Sequence, residues 1–469
     1  MSATRCLLFA VIMVSAPALQ GASVKVAVKR KPTDSPWQYY ETRTVDALAD
    51  FSLTADTPQL DQYGGVVGTP SKVTGFFHTK KVGQRWWLID PLGHRFLHIG
   101  VCSVAAGKSS MDREATQKRF TGEEQWARAT NDLLREHGFN GTGAWSSTEQ
   151  LRACEHPPVY TQTWSFMGAF GRARKLTRQE SGHLGYLGQC IPVFHPDFES
   201  FCDRYAEQLA KAKGDPYLLG HFSDNELPFG NTVLDQSLKL DANNPDLRPG
   251  YEAAKTWLAQ RKGSAAQPQD LTDTDRSAFL EYICDRYFRI TTQAIRRHDP
   301  NHLCLGPRLY GSSLRAPAVL RAAGKHLDAI AINYYGAWTP DQKLMAMWAR
   351  ESGKPFFITE WYAKGMDSGL PNNTGAGWVV QTQKDRGAFY QNFTLALLEC
   401  PDCIGWHWFK YRDNNPLDLS TDPSNRDSNK GVVNWQFEPY APLLAAMKEV
   451  NTNAYRLVEH LSTHPSKAE

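Results

Sequence analysis

The chain has 469 residues, 41% hydrophobic and 22% charged, an ordinary globular composition. Its 52 basic and 49 acidic residues leave a formal net charge of +3, too balanced to single out nucleic acid or an anionic membrane surface. A chain of this size needs neither disulfide nor metal to hold a core, and no apolar run is long enough to span a bilayer.

"MSATRCLLFAVIMVSAPALQGAS" opens with Arg5, an apolar run from Cys6 to Val14, and small residues around Ala16, Ala18 and Ala22. That order describes a signal peptide over residues 1–22, so the mature protein is expected to be secreted or periplasmic. Residues 23–74 read as an irregular N-terminal extension that covers one end of the domain. Residues 75–104 read as a hairpin and then a strand, with turns at "VGQR" and "DPLG".

Strand and helix signals alternate from there. "RFLHIGVCSV", "GTGAWS", "VYTQTWSF", "YLLGHFSDNEL", "HLCLGPRLYG", "LDAIAINYYG", "PFFITEWYAKG" and "CIGWHWFKYRD" are eight strand candidates. Between them lie helical patterns, among them "GEEQWARATNDLLREHG", which stops at Gly138, and the long "DRSAFLEYICDRYFRITTQAIRRHDP". Alternating β and α implies a parallel sheet. Eight units with no phosphate-binding glycine loop predict a (β/α)8 TIM barrel over residues 75–460 rather than a dinucleotide-binding fold. Residues 230–274 interrupt the rhythm and read as an insertion above the active face. "NWQFEPYAPLLAAMKEVNTNAYRLVEHL" reads as the closing helix.

Eight cysteines remain once the leader is set aside. Cys102 and Cys304 sit in apolar runs and read as buried thiols. Cys400 and Cys403 read as a local disulfide or two inert thiols, since no second cluster completes a metal site. "YRDNNPLDLSTDPSNRDSNKG" is rich in Asp and Asn, but its spacing does not match a calcium loop, and a structured rim loop is the simpler reading. "FGRARKLTRQESGH" is basic. Its charge would suit an anionic sugar, and a solvated loop is the simpler alternative.

In such barrels the active site lies at the C-terminal ends of the strands. The fourth strand ends in Asp224, Asn225 and Glu226, and the fifth in Arg308 and Tyr310. The sixth ends in Asn333, Tyr334 and Tyr335, the seventh in Glu360, Trp361 and Tyr362, and the eighth in His407, Trp408 and Lys410. Ser103 and Trp145 close the first two. Two carboxylates at the tips of non-adjacent strands, among aromatic residues, suit glycoside hydrolysis, which needs no cofactor and no metal. Strand side chains alternate faces, so Asn225 and Glu226 can meet one sugar only if the strand breaks there. Pro228 supports an abrupt end, and Asp224 is expected to be a hydrogen-bonded support.

The order "SDNELPFG" on strand four, "FFITEWYAKG" on strand seven and "GWHWF" on strand eight resembles the clan A glycoside hydrolases, retaining (β/α)8 enzymes. Within that clan, "WWLIDPLGHRFLHIGVCSV" and "LLGHFSDNELPFG" are similar to β-agarases and related exo-acting β-galactosidases. The resemblance spans roughly residues 75–450 and implies a carbohydrate substrate. It implies Glu226 as acid/base, Glu360 as nucleophile, and Asn225 on the hydroxyl beside the anomeric carbon. It further implies Tyr334 to orient the nucleophile and Trp408 to stack beneath the sugar, with Arg308 and His407 contacting the sugar or tuning Glu360. Trp145 and Lys410 complete the candidate substrate contacts. The expected function is an exported retaining β-glycoside hydrolase acting on β-galactosides. The alternatives are another exo-β-glycosidase, for mannosides or fucosides, and a catalytically silent carbohydrate-binding barrel.

Overall fold

The computed structural model describes residues 23–53 and 56–464. The predicted signal peptide and the last five residues lie outside the described residues. Eight parallel strands form one sheet: His98–Val101, Gly141–Thr142, Val159–Thr163, Leu218–Asn225, Leu303–Arg308, Ile330–Asn333, Phe356–Glu360 and Cys403–Trp408. Their hydrogen-bonded order runs from the fifth down to the first, then the eighth, seventh and sixth. A parallel bridge between Leu309 and Ile332 joins the fifth to the sixth, so the sheet closes into the predicted (β/α)8 barrel.

Most of the strands form where the sequence predicts because they are short, largely apolar runs buried on both faces, while the two-residue Gly141–Thr142 is held by its pairing with the first and third strands. Helix starts are set locally. Thr272 and Asp275 form a reciprocal cap that opens the 26-residue helix Asp273–His298, and Thr382 with Asp385 does the same for Gln383–Glu399. Gly138, with φ +74°, follows the end of helix Glu123–Glu136.

The hairpin His78–Val82, Arg85–Ile89 and Arg95–Phe96 plugs the N-terminal end of the barrel with Phe77, Leu88 and Phe96. The N-terminal extension reaches the opposite end. Val24–Lys29 and Gln38–Thr42 join Trp378–Val380 and Ala363–Gly365, two strands that follow the seventh barrel strand, in a four-stranded sheet. Thr42 Oγ1 accepts from the Trp338 indole at 3.0 Å, which ties this sheet to the loop after the sixth strand.

Several details differ from the sequence reading. The stretch read as a basic loop, residues 170–183, begins inside helix Phe166–Ala173, whose Phe166, Met167 and Phe170 make one apolar face, and goes on into a small hairpin, Thr177–Gln179 with Leu184–Tyr186. The 230–274 segment carries helices Val233–Ser237 and Arg248–Lys262, yet lends no residue to the cleft described below. The closing helix is two, Ala441–Asn451 and Ala454–Thr463. All eight described cysteines are free thiols. Burial pushes Cys400 up to about 11 and Cys403 up to about 12, so neither is a reactive thiolate at neutral pH.

Candidate active site

A cleft of about 660 Å³ opens at the C-terminal ends of the strands. Both Glu226 and Glu360 line it. Its volume is typical of small-ligand sites.

The fourth strand breaks where the sequence requires. Its pairing with the fifth strand slips between Phe222 and Asn225, and Glu226 takes a left-handed backbone with φ +49°. That turn cancels the face alternation, so Asn225 and Glu226 enter the cleft together. Asn333 holds the pair: its Nδ2 donates to Glu226 Oε1 at 2.8 Å and to Asn225 Oδ1 at 3.3 Å. Thr359 Oγ1 donates to Asn333 Oδ1 at 2.8 Å, which fixes the amide orientation. Two further strand ends facing the cleft are left-handed without glycine: Ser103, φ +53°, and Trp145, φ +61°. Such backbone is strained, and it gathers where function demands a particular aim.

Glu360 ends the seventh strand, only 5% exposed. Arg308 Nη1 lies 2.7 Å from its Oε1, and Tyr335 donates its hydroxyl to Oε2 at 2.7 Å. Arg308 is fully buried and stacks over the Trp145 ring at 4.1 Å. The two carboxyl groups therefore sit in unlike settings. Burial, and next the charge of Glu360, push the Glu226 carboxyl up to about 8. Asp224 supports the site from below. Its carboxylate accepts from the Met167 and Gly168 amides and from Tyr287, and burial raises it to about 7.

Aromatic rings surround the carboxylates. Tyr310–Tyr335, Tyr335–Tyr362, Tyr362–Phe409 and Phe409–Trp145 approach at 5.9, 5.4, 6.1 and 6.1 Å between centroids. Such a collar offers both flat faces and hydroxyls to a sugar.

The structure brings together Asn225, Glu226, Glu360, Trp145 and Lys410 along the cleft, with Arg308 directly behind Glu360. Three predicted contacts lie elsewhere. Tyr334 turns into the core against Trp348 and Phe393, and its hydroxyl accepts from the Asp341 amide; Tyr335, one residue on, holds Glu360 instead. Trp408 is fully buried between Trp361 and Tyr390, with its indole donating to the Lys430 carbonyl; Phe409 takes the cleft wall. His407 lies in the barrel interior, 2.8 Å from His98, and burial holds its imidazole well below its usual range. Sequence reasoning also left aside Asn333 as a clamp, and Lys430, which reaches the cleft from the loop after the eighth strand. The Asp residues of that loop serve backbone. Asp413 accepts from the Lys430 and Gly431 amides, Asp427 from those of Asn373 and Thr374.

No family model matches the chain. Beta-agarase B of Vibrio sp. (strain JT0107) is 25% identical over 89% of this chain and 52% of its own length. Beta-agarase A of the same organism is 26% identical over 72% of this chain and 37% of its own length. The chain thus spans about half the length, or less, of these curated relatives. Among solved structures, BpGH50 superposes with a TM-score of 0.82 at 29% identity, covering 94% of this chain and 96% of that one. An exo-beta-agarase shares the fold, with a TM-score of 0.69 at 20% identity over 86% of this chain and 68% of its own. In sequence the chain is similar to beta-agarases, and in fold it is a (β/α)8 barrel like that of BpGH50.

Proposed function

We propose that the chain is an exported, retaining β-glycosidase that cleaves β-galactosidic bonds, with Glu226 as acid/base and Glu360 as nucleophile. The observation that carries this reading is the unlike setting of two carboxyl groups in one cleft. Glu226, raised to about 8, keeps a proton to give at neutral pH. Glu360 has a guanidinium and a phenol on its two oxygens. In the first step Glu360 attacks the anomeric carbon, the glycosidic C–O bond breaks, and Glu226 protonates the departing oxygen. A glycosyl ester on Glu360 results. Esterification removes the Glu360 charge, and with it one of the two influences that raise Glu226. Glu226 is then better suited to remain ionised and take a proton from water, which attacks the ester and frees the sugar with its configuration retained. Asn225 faces the substrate beside Glu226, and the aromatic collar offers stacking surfaces. The galactoside preference rests on the likeness to the agarases, and export on the leader-like opening of the sequence.

The test is direct. Wild-type protein with an aryl β-galactoside should release the β-anomer first, as followed by proton NMR. Glu360→Gly should lose at least about 10³-fold in kcat and regain turnover with azide, yielding the α-glycosyl azide. An α-sugar as first product would refute retention, and full activity in Glu360→Gly would remove the nucleophile assignment.

A further inference from the structure

Three lysines lie almost out of solvent around the eighth-strand side of the cleft: Lys364 at 1%, Lys430 at 2% and Lys410 at 8% exposure. An ammonium carries a full charge and three N–H donors, all of which need partners when buried. Lys364 meets that demand. It donates to the carbonyls of Asn372, Thr374 and Gly375 at 3.0, 2.8 and 3.2 Å, and so clamps the loop after the seventh strand.

The other two do not. Lys430 donates to the Ser424 carbonyl at 2.7 Å and Asn425 Oδ1 at 2.6 Å, and its ammonium lies 4.7 Å from the Tyr362 ring centroid. Lys410 donates to Asn414 Oδ1 at 2.8 Å. Both line the cleft. Among the described residues, neither has a carboxylate oxygen within 4.0 Å. The acids that act on them from farther off are Glu360 and Asp422 on Lys430, and Asp413, Asp112 and Asp422 on Lys410. Most of these are committed elsewhere. Asp422 accepts from the Gly182 and Ser424 amides and from Gln179; Asp413 holds the Lys430 and Gly431 amides, Asn429 and Tyr440; Asp112 pairs with Arg412. A third cation, Arg172, lines the cleft from helix Phe166–Ala173, bonded to Ser165 and without a carboxylate within 4.0 Å.

Burial and the charge of Lys410 hold the Lys430 amine well below its ordinary range, so two such buried amines, with donors left over, keep their protons poorly unless an anion joins them. Burial already lowers Lys410 to about 8. We propose that Lys410 and Lys430 form an anion subsite within the cleft, so that the substrate is a saccharide bearing an oxyanion, a sulfate ester or a carboxylate. The inference rests on the glycosidase reading for its ligand class. Its geometry is that of a specificity pocket beside the two glutamates: the spare donors of Lys410 and Lys430 meet oxyanion oxygens, while the collar stacks the ring.

Calorimetric binding to Glu360→Gln protein separates the two readings, because it needs no turnover. The probes are a β-linked galactose disaccharide, its monosulfate ester, and the matching galacturonate disaccharide. At least one charged probe should bind tenfold or more tightly than the neutral one, about 1.4 kcal/mol. The advantage should shrink below about twofold when Lys410→Met or Lys430→Met is added, and should fall with rising salt. Lys410→Gln, checked by thermal melting, covers the case in which a methionine variant fails to fold. The sulfate and carboxylate arms identify which oxyanion fits. Equal affinity for neutral and charged probes, no measurable binding of either charged probe, or an advantage that survives in both lysine variants overturns the proposal. Loss of retained-product chemistry with the charge preference intact would strike the glycosidase mechanism alone.

Discussion

Glu226 is held in a state that its unfolded counterpart does not share. In the unfolded chain it titrates near 4.5, and in the cleft near 8, because burial and Glu360 both disfavour its charge. The folded state therefore binds a proton that the unfolded state releases, and stability contributed by this group is present below about 4.5 and is lost progressively up to about 8. Glu226→Gln keeps an acceptor for Asn333 and carries no titrating proton. Its melting temperature should exceed that of the parent at pH 8, and the difference should vanish at pH 4; a gain that persists unchanged at pH 4 would count against the assignment. The same titration should appear in catalysis as an alkaline fall in kcat/KM near pH 8, where the free enzyme loses its proton donor. The two neighbouring tyrosines separate positioning from packing. Tyr335→Phe removes the donor to Glu360 Oε2 and should lower kcat by roughly ten- to a hundredfold with KM little changed. Tyr334→Phe removes the hydroxyl that accepts from Asp341, and should cost about 1 kcal/mol in stability with kcat nearly intact. The carboxylates were legible in the sequence, since an acid at the end of a buried apolar run has few structural explanations. The tyrosine was not: the sixth strand ends at Asn333, and past a strand end the two-residue alternation no longer says which side chain turns inward.

At the scale of elements, the cleft is assembled from strand tips and from loops that fasten one another. The hairpin after the third strand and the long loop after the eighth meet at Asp422, whose carboxylate accepts from the Gly182 amide and from Gln179 while also capping the turn at Ser424. Both elements line the cleft, so this carboxylate sets its width on one side. Asp422→Ala should release the hairpin and raise KM by roughly tenfold, with a smaller change in kcat; initial rates at varied substrate would show it, and an unchanged KM would mean the two loops hold their places independently. The eight strands and most helices could be read from the chain because apolar runs, caps and glycine stops are local signals. Even the second strand, two residues long, was recognisable by its place in the alternation. Lys430 could not be foreseen. It is brought under the cleft by the backbone pairing of Lys410 with Lys430 and by Asp413, contacts across an irregular loop that no periodicity encodes. Helix Phe166–Ala173 was missed because its apolar Phe166 and Met167 fall at the end of the segment read as the third strand and beyond, and its last four residues fall in the basic stretch that follows.

The molecule as a whole is a barrel closed at one end by a plug and bordered at the other by a sheet that the N-terminal strands share with the loop after the seventh strand. That sheet has a consequence for the order of events in folding. Val24–Lys29 is among the earliest described segments of the chain, yet its partner strand is Trp378–Val380, and the neighbouring Arg43 amide bonds to Asn392, 349 positions away. Contacts that distant close slowly, since the intervening chain must first be brought to compact form. During synthesis the N-terminal ribbon must wait, its edge unpaired, until seven strands of the barrel have emerged. Refolding followed by pulsed hydrogen exchange should therefore find the amides of Val28 and Lys29 protected later than those of the barrel strands, and early protection there would mean that the ribbon nucleates on its own. The border of the cleft is thus a latch of assembly: Val24–Lys29 is secured only once the strand that carries Glu360 is in hand.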